Sequence, residues 1–130
     1  MKKLLFTLSL LVAGLTTVLG QTKAEITFDK TTHNFGKFSE DNPVMECVFT
    51  YTNTGTTPLV IHQASASCGC TVPQFTKEPV MPGKQGTIKI TYNGAGKQPG
   101  RFKKSITLLT NAKTETMRIY IEGDMTPKTK

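Results

Sequence analysis

The sequence predicts an all-β protein, an immunoglobulin-like antiparallel β-sandwich of seven to eight strands. Three observations predict it. Apolar and polar residues alternate with period two in one short segment after another. Clusters of Gly, Pro, Asn and Asp separate those segments at intervals of roughly 8–12 residues. No stretch after Gln21 keeps the apolar spacing of a helix over three turns, and nothing repeats at a fixed period. With no tryptophan in the chain, the antibody-type Cys–Trp–Cys signature is excluded, so the likeness is one of architecture only.

The elements follow in order. Lys2 and Lys3 precede a largely apolar run, Leu4 to Leu19, and Val18-Leu19-Gly20 offers a cleavage site before Gln21. Residues 1–20 therefore read as a secretory signal peptide, and no membrane segment remains after cleavage. Glu25 to Phe28 is a short alternating run. His33 to Phe38 is another, with Gly36 marking a bulge. Asp41-Asn42-Pro43 turns the chain into Val44 to Asn53, where Met45, Cys47, Phe49 and Tyr51 share one face. The stretch Asn53-Thr54-Gly55-Thr56-Thr57-Pro58 turns again, into Leu59 to Ala64. A corner at Cys68-Gly69-Cys70 leads into Thr71 to Phe75, and Met81-Pro82-Gly83 is a tight turn. In Thr87 to Asn93, Ile88, Ile90 and Tyr92 face one way. Phe102, Ile106 and Leu108 do so in the next strand, and Met117, Ile119 and Ile121 in the last. Gly123 closes the domain, taken as residues 21–124, and residues 125–130 read as a basic tail.

The 110 residues after Gly20 make one domain with one core. Removing Lys2 and Lys3 lowers the formal charge from +7 to +5. A modest basic excess on an exported chain points to acidic protein faces or anionic envelope polymers and away from nucleic acid. Export also means an oxidising compartment, where thiols pair. Three cysteines is an odd number, so at least one is free or pairs with another chain.

Phe49-Thr50-Tyr51-Thr52-Asn53-Thr54-Gly55, Pro58-Leu59-Val60-Ile61 and Ser67-Cys68-Gly69-Cys70-Thr71-Val72-Pro73 carry a family likeness. So do Pro82-Gly83-Lys84, Ile88-Lys89-Ile90-Thr91-Tyr92 and Phe102-Lys103-Lys104-Ser105-Ile106. Together they resemble the exported bacterial family called domain of unknown function 1573, over about Ile26 to Gly123. That resemblance implies a relation to hydin-type, major-sperm-protein and PapD-chaperone domains and an address in the cell envelope. It implies no activity, and Cys47 lies outside its pattern.

Chemistry concentrates at Cys68-Gly69-Cys70. Residues two apart in a strand have Cα atoms roughly 6.5–7 Å apart, the upper edge of disulfide geometry. Gly69 permits a bend that would shorten this. Besides plain packing as small buried thiols, four uses stay open. The first is a Cys68–Cys70 disulfide, and the second is a bridge from Cys47 to either of them. The third is a copper or zinc site completed by His62, Met81 or Cys47. The last is a thiol redox pair, although no helix N-terminus is present to lower a thiol pKa. Elsewhere, His33 and His62 have no acid or nucleophile at a telling spacing, and no carboxylates pair for acid–base work. There is no phosphate loop, haem attachment or calcium loop, so an enzyme is not expected and no cofactor is called for. Lys97, Arg101, Lys103 and Lys104 gather around one hairpin. They suit an anionic surface, or guard a strand edge against aggregation. The reading is a non-catalytic binding or scaffold module of the bacterial envelope, periplasmic or otherwise envelope-associated. Its alternative is a thiol or soft-metal protein using the Cys-Gly-Cys motif.

Overall fold

The computed structural model describes residues 23–129, and the predicted signal peptide lies outside them. The strands are β1 (Ile26–Phe28), β2 (Thr32–Ser39), β3 (Val44–Asn53), β4 (Ile61–Ala66), β5 (Thr71–Phe75), β6 (Gln85–Asn93), β7 (Gly100–Thr110) and β8 (Thr116–Thr126). They form two four-stranded sheets, ordered β1-β3-β6-β5 and β2-β8-β7-β4. No helix among the described residues is long and apolar enough to cross a membrane.

The period-two pattern puts one side of each strand into the space between the sheets. Phe49 and Tyr51 of β3, Ile88 and Ile90 of β6, Ile106 and Leu108 of β7, and Ile119 and Ile121 of β8 are buried there. The alternate residues Val44, Val48, Lys89 and Lys103 face solvent. Tyr92 and Phe102 stack across the sheets at one end, with centroids 4.1 Å apart, and Phe38 meets Phe102 edge-on.

Two features depart from expectation. The sandwich is not wholly antiparallel, because β2 runs parallel to β8. β1 and β2 are successive pieces of one extended run that changes sheet at Asp29-Lys30-Thr31. The run keeps its direction, so it meets β3 antiparallel and β8 parallel. The chain also does not close at Gly123, since β8 continues to Thr126 and buries Met125 in the core. Gly123 serves space instead. A Cβ there would lie 3.0 Å from the Phe102 ring and 3.1 Å from Phe38.

The turn after β3 is a clasp. Asn53 is fully buried. Its Nδ2 donates to the carbonyls of Thr57 (2.7 Å) and Val80 (2.8 Å). Its Oδ1 accepts from the backbone N–H of Gly55 (2.9 Å) and, at 3.4 Å, from that of Glu25. A Cβ on Gly55 would collide with the backbone at Lys23–Glu25, so only glycine lets these two segments touch.

Candidate functional site

Two surfaces carry the remaining chemistry. The first is an open concavity of about 670 Å³ on the outer face of β2, β8 and β7. Strand register builds it. Arg101 of β7 stands opposite Asp124 of β8, which stands opposite Lys37 of β2. Beside that row, Lys103 faces Glu122, which faces Asn34. Two carboxylates therefore line the middle strand while cations stand on both flanks. None of these charges closes an ion pair within 4.0 Å; among the described residues the salt bridge is Lys89–Glu46, on the other sheet. Lys103 instead extends over the Tyr120 ring, its Nζ 4.9 Å from the centroid. The β2 wall is shaped by a bulge between Asn34 and Lys37. There Gly36 adopts φ +71° and donates its N–H to Asn34 Oδ1 at 2.7 Å.

The structure divides the four predicted basic residues. Arg101 and Lys103 line the concavity. Lys104 alternates to the other side of β7, and Lys97 sits in the turn before that strand. Lys37 completes the basic rim and escaped sequence reasoning. It is about sixty residues from Arg101 in the chain, and only the parallel β2–β8 pairing brings them together.

The second surface is the cysteine corner, which carries the chain from the end of β4 in one sheet to β5 in the other. Cys68 and Cys70 form a disulfide, with Cα atoms 5.2 Å apart. The strand spacing has shortened because the chain turns here, with Thr71 N–H donating to Cys68 O at 3.1 Å. Gly69 does not adopt a positive φ, and a Cβ on it would meet nothing within 4 Å. The bend therefore comes from the turn and owes nothing to glycine's special freedom. Backbone bonds anchor both ends, Ser67 N–H to Ser105 O (2.9 Å) and Asn93 N–H to Cys70 O (2.8 Å). The Cys70 N–H also points at Cys68 Sγ (3.1 Å), and the Thr71 hydroxyl lies 3.6 Å from Cys70 Sγ.

The bridge from Cys47 to the corner does not form. Cys47 is a free thiol on the inner face of β3, and burial pushes its pKa up to about 11. The metal set does not converge either. His62 is exposed near the start of β4. Roughly 13 Å of extended strand, at about 3.3 Å per residue, separates it from the end where the cysteines lie. Met81 is exposed in its turn. Among the described residues, no three His, Cys, Asp or Glu side chains gather to hold a metal ion.

A three-residue ring makes a weak disulfide staple. The chain-entropy relation assigns it about 1.6 kcal/mol, against roughly 4.7 kcal/mol for a hundred-residue loop. Backbone hydrogen bonds would keep this corner in place without it.

Residues 26–125 match the family model described as protein of unknown function DUF1573. The chain belongs to that family. No curated protein matches the sequence. Among solved structures, the chain is similar to a protein of unknown function from Porphyromonas gingivalis W83 (14% identity, TM-score 0.68). The match covers 85% of this chain and 51% of that one, so the DUF1573 chain spans about half the length of that relative. It is also similar to PapD-like domain 7 of human CEP192 (14% identity, TM-score 0.62, 83% of this chain and 88% of that one). The CupB2 chaperone of Pseudomonas aeruginosa shares the fold as well (16% identity, TM-score 0.54, 78% and 55%). At these identities the likeness establishes a PapD-like immunoglobulin fold and nothing more.

Proposed function

We propose that this DUF1573 protein is a non-catalytic binding module of the bacterial envelope. In this reading it holds an anionic partner, an acidic protein face or an envelope polymer, on the concavity between β2 and β7. One observation carries the reading. Lys37, Arg101 and Lys103 rim a single hollow with no ion pair closing any of them. Glu122 and Asp124 stand between these cations and leave the hollow a small net positive charge, so a partner whose carboxylates or phosphates reach the rim on the β2 and β7 flanks gains from each cation it meets. The PapD-like fold of the periplasmic chaperones is compatible with protein binding, by analogy of fold alone.

The test is a binding isotherm on poly-L-glutamate and on envelope fragments at two salt concentrations, comparing the native protein with K37Q/R101Q/K103Q, which removes the charges without setting new carboxylates opposite Asp124 and Glu122. The native protein should bind more weakly as salt rises, and the triple variant should lose at least tenfold in affinity while keeping its unfolding midpoint. Equal binding by the two proteins would refute the assignment.

A further inference from the structure

We propose that the Cys68–Cys70 disulfide is an exchange site that passes its oxidising equivalents to a dithiol on another molecule. This goes beyond the anion-binding reading and depends on a different part of the surface.

Three observations carry it. First, the pair is reachable. Both cysteines are partly buried, Cys70 with one side against the core, but neither is enclosed: Gly69 between them is exposed, and even an added Cβ there would meet open space. Second, the disulfide is dispensable to its own surroundings. The corner is tied to β7 through Ser67 and Ser105 and to β6 through Cys70 and Asn93, all by backbone hydrogen bonds. Opening a two-residue separation frees little chain, so the reduced form keeps the fold. Third, the two sulfurs are differentiated. The Cys70 N–H is aimed at Cys68 Sγ, where it would stabilise a thiolate, making Cys68 the better leaving group.

The exchange then balances in two steps. A thiolate of the partner attacks Cys70 Sγ. The Cys68–Cys70 bond breaks, and its electron pair leaves on Cys68, held by the Cys70 N–H. The partner's second thiolate next attacks its own sulfur in the mixed disulfide and expels Cys70 as a thiolate. Cys70 Sγ departs beside the Thr71 hydroxyl. The partner is oxidised to a disulfide, the Cys68–Cys70 pair is reduced, and the two protons given up by the partner's thiols end on Cys68 and Cys70. Cys47 stays out of the exchange because it is buried on β3. The corner is fastened at Ser105, two residues along β7 from Lys103. That anchor residue stands roughly 7 Å along β7 from Lys103 on the basic rim.

The experiment mixes the oxidised protein with a synthetic peptide carrying two free cysteines, then counts protein thiols by alkylation and intact mass. In parallel, the protein is equilibrated in a glutathione buffer that leaves ordinary structural disulfides oxidised. The expected result is one peptide disulfide formed per chain, two new alkylations at Cys68 and Cys70, and an unchanged near-ultraviolet dichroism spectrum. C68S/C70S should be folded alike and transfer nothing. Single replacement, C68S, should leave Cys70 able to hold a stable mixed disulfide with glutathione. A disulfide that survives both treatments would overturn the proposal, as would loss of the native spectrum on reduction.

Discussion

Replacing Asn53 with alanine should destabilise the domain more than any surface change. The side chain is fully buried and makes four contacts to backbone groups: the carbonyls of Thr57 and Val80 and the N–H groups of Gly55 and Glu25. They are not equal. The Val80 carbonyl keeps a second donor, the Leu59 N–H at 2.8 Å, and the Glu25 contact is long at 3.4 Å. The Gly55 N–H and the Thr57 carbonyl lose their bonds outright. A fully buried group left unpaired costs about 1–3 kcal/mol; these two are part-buried, and with a smaller loss at Val80 the expected cost is roughly 2–4 kcal/mol. Against a typical domain stability of about 5–15 kcal/mol this is a large share. Urea unfolding followed by circular dichroism reads it directly. With a slope of about 1.5 kcal/mol per molar urea, the midpoint should fall by roughly 1.5–2.5 M. Asn53→Asp should be at least as damaging, since an acceptor-only carboxylate would face the Thr57 and Val80 carbonyls. A loss under about 1 kcal/mol for Asn53→Ala would show that the buried amide is not the clasp described here.

Three further outcomes are expected. Met125→Ala should cost about 2–5 kcal/mol, as for other buried methionines, and truncation before Met125 should do at least as much, although the sequence reads as a tail from that point; thermal unfolding checks both. Cys47, its thiol pushed up to about 11 by burial, should resist iodoacetamide at pH 8 in the folded protein and react fully in denaturant, as seen by mass spectrometry. His33 is held below its ordinary value of 6.5, first by burial and then by the neighbouring Lys30 ammonium. As pH falls through 6.5 the unfolded chain takes up the proton first, so stability should decline from there until the folded-state pKa is passed, and His33→Gln should flatten that part of a urea-midpoint profile against pH.

Much of the architecture was legible because it depends on local order. Alternation in Val44 to Asn53, Thr87 to Asn93 and Met117 to Ile121 places the core residues where the structure buries them, since side chains on a strand have only two sides to choose from. Gly36 was readable as a bulge for the same reason. Gly123 was misleading, because a glycine that ends a strand and one that makes room for Phe102 and Phe38 look alike in a sequence. Asn53 was visible as a turn residue, while its burial depended on Val80, 27 residues away.

The cysteines divide along the same line. The sequence by itself determined the strands, their inward faces, the corner at Cys68-Gly69-Cys70 and a basic character for the hairpin around Arg101. All of these follow from neighbours a few residues apart. Only the tertiary structure decided that Cys68 pairs with Cys70 while Cys47 stays buried and alone, that His62 lies away from both, and that Lys37 joins Arg101 and Lys103 across β8. Those outcomes rest on which strands lie side by side and in what register, and pairing between distant segments is set by packing of the whole core rather than by any local run of residues.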